Sequence, residues 1–383
     1  MPDNSNSIHH ARIHDCIILG GGASALFAAD RLRAKGRRVL VIDKARLVGG
    51  RMSTRRLTVP AQAQTGESDA WLDFGAQFFT VRSPRFQAYV DRWLAEGEAA
   101  VWFEGSGGHP RYRGIPNMKS LLLRMAEPLA ADDSLLLQTR ITRIARSESG
   151  GGWNVFADGD AGSRHIASAR SLILTPPVPQ TIDLLTASEL LDQAERDALS
   201  AYQYHPCFAL MLIYAADDAP QIPAGYLTDA NDGDRPALGP HIRWLADNQA
   251  KGVSPDHIAL TVHTEAEFTR THYEHDPEAV RDALIESAPV LRGHQPVAWQ
   301  LHRWRYSVPA HAASERSPAG GNAVPANPPH PESGEPSHCR PLAGHSDIIL
   351  AGDGLSGGRV EGAVLSGLDA ADWVEREIAA SQI

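Results

Sequence analysis

"DCIILGGGASALFAADRLRAKGRRVLVIDK", residues 15–44, is followed at 48–55 by "VGGRMSTR". Asp15–Leu19 with Gly20 reads as a short buried strand, Ala23–Lys35 as an alanine-rich helix stopped by Gly36, and Val39–Asp43 as a second strand. Strand, glycine turn, helix and strand in so short a span make a βαβ unit, whose strands must run parallel. Gly20, Gly22 and Ala25 fit G-x-G-x-x-A. The first glycine allows the tight turn, the second lets backbone approach a pyrophosphate, and the third, small position packs helix on sheet. The phosphates then meet free N–H groups at the helix start, around Gly22, Ala23 and Ser24. Asp43 closes the second strand, where a carboxylate accepts hydrogen bonds from adenosine ribose hydroxyls and repels a 2′-phosphate. The unit predicts a dinucleotide ligand other than NADP.

That unit does not separate NAD from FAD; the next stretch bears on the choice. Gly49, Gly50 and Arg51 follow the second strand directly. A glycine pair can lie against a diphosphate and a guanidinium can neutralise it by a forked contact. Such an added layer suits a resident group rather than a passing substrate.

The bulk composition narrows the class. The 383 residues are 43% hydrophobic and 21% charged, as in a globular protein with room for two domains. A formal net charge of −10 gives no basic footprint for nucleic acid. Lysine occurs only at 35, 44, 119 and 251. The 3 cysteines, Cys16, Cys207 and Cys339, are too few and scattered for a disulfide framework, and no clustered spacing suggests a metal site. The polar start "MPDNSNSIHHARIH" lacks a signal-peptide core, and no apolar run is long enough to span a membrane, so a cytoplasmic location is expected.

Further along, "WLDFGAQFF" (71–79) is strand-like, Met118–Leu129 is helical, and residues 134–175 suggest a β-meander ending in a buried strand at Ser171–Thr175. A different texture begins near Val178. Residues 207–214, 241–247, 257–263 and 297–306 are strand candidates, with a helix from Pro277, N-capped by Asp276, before the last. Residues 310–345, rich in proline, glycine and serine, read as a flexible loop. "DIILAGDG" (347–354) restores a buried strand, and a long helix from about Glu361 closes the chain.

With these blocks together, "GGGASA", "VIDKA", "GGRMSTR", "DFGAQFFTVR" (73–82) and "AGDGLSGGRVEGAVLSGLDAA" (351–371), the sequence resembles the flavin amine oxidase superfamily. Within it, "DFGAQFFT", "RYRGIPNM", "VHTEAEF" and "HRWRYSVP" are similar to the bacterial renalases and renalase-like oxidoreductases. The resemblance covers most of the chain apart from 310–345 and, in part, 60–69 and 228–240. It implies an α/β fold of the amine oxidase and p-hydroxybenzoate hydroxylase type: a Rossmann-type FAD-binding domain with a mixed, mainly parallel sheet, and an α+β substrate domain on an antiparallel sheet. The expected division gives 12–78, 108–178 and 346–381 to the FAD domain and 79–107 and 179–309 to the substrate domain. It implies non-covalent FAD, with Gly20, Gly22, Ala23 and Ser24 at the pyrophosphate and Asp43 with Lys44 at the ribose. Gly50, Arg51 and Met52 lie alongside, Gly75, Ala76, Gln77 and Phe78 line the flavin ring, and Asp353, Arg359, Val360 and Glu361 close the site from the C-terminal end.

FAD carries the redox chemistry, so function turns on the hydride donor. In 257–263, Ala259, Thr261 and His263 share one strand face; in 297–306, Ala298, Gln300, His302, Trp304 and Tyr306 share another. Asn248, His263 and Trp304 are the expected catalytic pocket, with Gln77 and Phe78 from the flavin side. An ordinary amine oxidase of the superfamily would bring a lysine linked through water to the flavin and an aromatic near the C-terminal motif. Here Lys251 lies in "DNQAKG" and the motif reads "GLSGGRVEGA", two departures that weigh against that activity. The renalase likeness implies oxidation of 2- or 6-dihydro-NAD(P), with hydride passing to flavin N5 and O2 reoxidation giving H2O2. Such a donor needs no general base. An FAD-dependent amine oxidase, a non-catalytic flavin-binding or sensing protein, and an NAD-dependent dehydrogenase are the alternatives.

Overall fold

The computed structural model describes residues 13–60, 68–105, 108–148, 151–159, 162–310, 327, 329 and 336–380. Its first sheet is built on β1 (Ile13–Leu19), flanked in parallel by β2 (Val39–Ile42) and β10 (Gly162–Leu174). β7 (Leu135–Leu136) extends the β2 side and β17 (His345–Leu350) the β10 side, both parallel, with β16 (Arg340–Leu342) as an antiparallel edge. β8 (Ile141–Arg146), β9 (Trp153–Gly159) and β10 form the expected antiparallel meander. Registers pair Leu19 with both Ile42 and Leu174, and Leu174 with Leu350. The carboxyl ends of four parallel strands therefore finish level, and their loops open one common crevice, where open α/β sheets bind ligands.

Helix α1 (Ala23–Ala34) packs on this sheet with its alanine-rich face, and the closing helix of the chain (Val360–Ala380) lies against it. Contact is close because Gly367 has no side chain: a Cβ there would come within 2.1 Å of the Ser24 carbonyl oxygen. α2 (Pro84–Ala95) joins the same core through Phe86, Val90 and Trp93, which pack around Phe27. Residues 79–107, expected in the substrate domain, thus put their helix into the core of the dinucleotide unit. The apolar face of α2 (Phe86, Val90, Trp93) fits either partner, and sequence periodicity does not name which. α3 (Met118–Ala131) follows, N-capped by Asn117.

The second sheet is antiparallel, in the order β12 (Tyr226–Thr228), β13 (Ile242–Asp247), β14 (Ile258–Thr264), β11 (Tyr204–Tyr214) and β15 (Ala298–Pro309). One face carries Phe208, Leu210, Leu212, Leu260 and Val262 against Phe268, Val280 and Leu284 of the helices Ala266–His272 and Pro277–Ser287. Asp276 caps the latter as expected, accepting from the amides of Glu278 and Ala279. The other face, with Ala209, Met211, Ile213 and Ala259, meets Val59, Ala70, Leu72 and Phe74 of the hairpin β3 (Thr54–Val59) and β4 (Ser68–Asp73). That hairpin leads out of the glycine-rich region, so it couples the two sheets. A second hairpin, β5 (Ala99–Glu104) and β6 (Pro110–Gly114), flanks it.

Most of the segment expected as a loop at 310–345 lies outside the described residues. Its end is ordered: Ser337 and Cys339 are buried and Arg340–Leu342 is the edge strand. Among the described residues no helix is long and apolar enough to cross a membrane.

Gly367→Ala forces α1 and the closing helix apart or strains both. It is expected to cost about 1–3 kcal/mol, the range for overpacking a tight core, read as a lowered denaturation midpoint.

Candidate active site

The crevice begins at Gly20, whose φ of +110° and whose hydrogen, 2.2 Å from Thr175 Oγ1 were it a Cβ, exclude any larger residue. Gly22 is the N-cap of α1 with no side-chain hydrogen bond, and a Cβ there would meet nothing within 4 Å. Open space in front of a helix start with bare amides is a cradle for a phosphate group. Asp43 stands beside it as expected: one carboxylate oxygen accepts from the Gly21 amide and the other from the Ala45 amide at 2.6 Å. Each oxygen retains a lone pair for a ribose hydroxyl. Gly50 backs the turn, its Cβ position 3.2 Å from Gly22 Cα.

Arg51 binds Asp353 across 302 residues of sequence, donates to the Ser307 carbonyl at 3.3 Å, and lies over the Tyr204 ring at 5.8 Å. The first and last segments of the dinucleotide unit are thus joined at the crevice by an ion pair. Gly75 is pressed on the Arg51 backbone, where a Cβ would lie 2.0 Å from the carbonyl oxygen, and the Ala76 amide donates to that oxygen at 2.7 Å.

Other expected cofactor contacts are spent inside the protein. The Ser24 hydroxyl donates to the Ala363 carbonyl at 2.8 Å, leaving only its amide for a phosphate. Ala23 and Met52 have buried side chains in the core, Lys44 reaches Gln180 at 3.2 Å, and Glu361 accepts from the Arg82 and Ser83 amides at 2.7 and 2.6 Å. Arg359 is exposed and Val360 half-buried at the start of the closing helix.

The segment Gly75–Phe78 leaves β4 through Asp73 and Phe74, and the pocket residues converge on those two peptide groups. The Asp73 amide donates to Asn248 Oδ1 at 3.1 Å. The Asp73 carbonyl accepts from Thr261 Oγ1 at 2.9 Å and Gln77 Nε2 at 2.6 Å. The Phe74 carbonyl accepts from His263 Nε2 at 3.1 Å and Trp304 Nε1 at 3.0 Å. A carbonyl can only accept, so His263 carries its proton on Nε2 and keeps Nδ1 as an acceptor. Burial pushes the His263 pKa down to about 4, against its Phe74 bond, and burial with nearby Arg55 does the same for His302. Both rings are neutral at neutral pH. Trp304 stacks on Phe74 at 5.2 Å, with His302 edge-on to both.

Asn248, His263, Trp304, Gln77 and Phe78 are therefore brought together, but not all as substrate contacts. Asn248 is fully buried and its amide nitrogen is consumed by the Ala259 carbonyl and Thr261 Oγ1 at 3.1 and 3.0 Å. Both ends of its side chain are thus occupied within the wall, at the position where the sequence predicts a pocket contact.

Two residues to which the sequence reading gave no place in the pocket lie behind this wall. Lys251 Nζ meets Asp73 Oδ2 at 2.7 Å with both side chains inaccessible, and Thr54 Oγ1 and the Met118 amide complete Asp73 at 2.6 and 3.1 Å. Lys251 lies 5.0 Å from the Trp102 ring centroid, and burial draws its pKa below the usual lysine value against the pull of Asp73. A lysine in a chain with so few was the available signal. Its partner, in the other half of the molecule, was not readable. Beyond Phe78, the rings of Phe103, Tyr226 and Trp244 gather, with Trp244 and Phe103 each 5.5 Å from Phe78.

Residues 18–93 match the NAD(P)-binding Rossmann-like domain and residues 94–374 match flavin containing amine oxidoreductase. The chain belongs to the flavin-containing amine oxidoreductases. Its cofactor is FAD, whose adenosine diphosphate half suits the Gly20–Gly22 turn and Asp43. Solved structures share the fold of this amine oxidoreductase. A putrescine oxidase variant redesigned in cofactor binding is 16% identical over 96% of this chain and 99% of its own, with a TM-score of 0.62. Cyclohexylamine oxidase from Brevibacterium oxydans is 15% identical over 96% and 100%, with a TM-score of 0.60.

Lys251→Met strands Asp73 as an unpaired buried carboxylate and is expected to cost about 3–5 kcal/mol, measured by urea denaturation. A pH effect follows from the neutral imidazoles. Between the ordinary value of 6.5 and about 4, the unfolded chain binds protons at His263 and His302 that the folded chain refuses. Stability from this source is complete above about pH 6.5 and lost as pH falls toward 4. His263→Gln is expected to flatten the fall in denaturation temperature over that interval.

Proposed function

We propose that this flavoprotein is an oxidase of misreduced dihydronicotinamide dinucleotides, the 2- or 6-dihydro isomers of NAD(P). When bound, FAD accepts two electrons from the donor and yields them to O2, forming H2O2. Gly20, Gly22, Asp43, Gly50, Arg51, Gly75 and Asp353 are the residues that would hold it. The attachment is non-covalent: Cys16, Cys207 and Cys339 are all buried, and burial raises their thiol pKa values.

One observation carries the reading of the donor. The side chains gathered around Phe74 include flat rings and neutral imidazoles, with the Arg55 guanidinium over Phe74 and that of Arg111 over Phe78, and the buried charges Asp73 and Lys251 neutralise each other. Loss of hydride from a dihydropyridine leaves an aromatic pyridinium directly, so no residue must take a proton. The chain's part is to orient a flat ring. The rings of Trp304 and Phe78 supply faces, and His263 Nδ1 accepts a hydrogen bond from a carboxamide N–H.

Amine oxidation is the second reading, supported by the family and by the names of the two neighbours. It requires a neutral amine, and the described site offers no free carboxylate to attract an ammonium. Anaerobic titration of the holoenzyme separates the readings. Borohydride-treated NAD, a mixture of dihydro isomers, is expected to bleach the flavin rapidly, and ordinary NADH slowly. Bleaching by amines alone, rising with pH, would establish the amine oxidase instead. A yellow protein that no donor reduces would be a binding or sensing protein, and one that never takes up flavin would suit an NAD-dependent dehydrogenase.

A further inference from the structure

Phe103, Tyr226 and Trp244 form a slab of nearly parallel rings. Phe103 and Tyr226 stack at 4.1 Å and 24°, Tyr226 and Trp244 at 5.2 Å and 12°, and Phe103 and Trp244 at 6.5 Å and 26°. All three are part-buried. They come from three strands, β5, β12 and β13, with Phe78 5.5 Å from Phe103 and from Trp244 and Trp102 edge-on to all three. A structural core would enclose such rings, as it does Phe27, Phe79 and Phe86. Trp244 adds a buried indole N–H with no hydrogen-bond partner among the described residues, as do Trp153 and Trp373 elsewhere in the chain. Arg111 lies over the Phe78 ring at 5.7 Å, donates to the His109 carbonyl at 3.1 Å, and has no carboxylate within ion-pair distance among the described residues. Parallel rings, an unspent N–H and an uncompensated guanidinium together call for a flat, acceptor-bearing ring on an anionic arm.

We infer that this slab is a second substrate subsite, which stacks the purine of an adenine nucleotide while Arg111 meets its phosphate. The inference rests on the reading above: a dihydronicotinamide dinucleotide has one reacting ring and one remote adenine ring, joined by a pyrophosphate. The Phe74–Trp304 surface and the slab beside Phe78 give each ring its own stacking partner. A purine on an aromatic platform gains roughly ten-fold or more in affinity per ring, so the adenine half would lower KM without touching the chemistry.

The test uses FAD-saturated protein. AMP binding is measured by calorimetry, and steady-state oxidation is compared for the borohydride-derived isomers of NAD and of nicotinamide mononucleotide. The wild type is expected to bind AMP and to show a KM about ten-fold lower for the dinucleotide. Tyr226→Leu and Arg111→Gln should each abolish AMP binding and raise the dinucleotide KM to the mononucleotide value, with kcat and the mononucleotide KM unchanged. AMP that fails to bind, or variants that leave the KM ratio intact, would overturn the subsite. Equal KM values for the two donors would overturn it too while leaving the oxidase reading standing. AMP binding lost in Tyr226→Leu, with no donor oxidised by any form, would retain the subsite and overturn the oxidase. Tyr226→Phe, which keeps the ring, should restore wild-type behaviour and separates stacking from general damage to the sheet edge.

Discussion

Asp73 is the joint on which the site hangs. Its carboxylate faces a lysine from the turn between β13 and β14, a hydroxyl from β3 and an amide at the start of α3, and its backbone is held by Asn248, Thr261 and Gln77. Two buried charges in contact would be a poor way to gain stability, since desolvation offsets most of their attraction. Their value here is directional. A buried ion pair whose carboxylate also accepts from Thr54 and the Met118 amide restricts the arrangement of the elements around it, and the next residue, Phe74, inherits that fixity through two further N–H donors. The wall Gly75–Phe78 is therefore positioned by the substrate half of the molecule although it belongs to the cofactor half.

The cofactor side obeys a different constraint, backbone proximity. Parallel strands ending level bring Gly20, Asp43, Thr175 and Ala351 to one rim, and side chains are absent where the backbones crowd: at Gly20 against Thr175, Gly75 against Arg51 and Gly367 against Ser24. At Gly22, by contrast, a Cβ would meet nothing within 4 Å, so the front of the helix start is open. His263 and Trp304 stand on strands β14 and β15, where sheet pairing fixes the backbone.

Local chemistry was readable from the residues. The first βαβ unit, the Asp276 cap, the meander and the two-faced alternation of 257–263 and 297–306 depend on neighbours a few positions apart, and each is present. Roles set across long separations were not. Ser24, Met52 and Glu361 stand in motifs next to the crevice, yet their side chains turn to Ala363, the core and the Arg82–Ser83 amides. Asn248 looked like a pocket amide because strand ends carry such residues; the peptide it holds lies 175 residues away. Lys251 and Asp73 are separated by 178 residues, and neither sits in a pattern that announces the other. The short strand β12 and the rings it brings to the slab were likewise invisible, because three residues carry no periodicity.

The bridge between Arg51 and Asp353 also bears on how the polypeptide matures. Strand β17 and the residues after it are the last of the cofactor sheet to leave the ribosome, and the crevice lacks one bank until they arrive. A nascent chain displays its glycine turn early but holds no finished groove until β17 and Asp353 follow. Contacts of such long sequence separation are also slow to form. The half-made sheet, with β10 still an open edge, is the interval in which this protein is most exposed to aggregation.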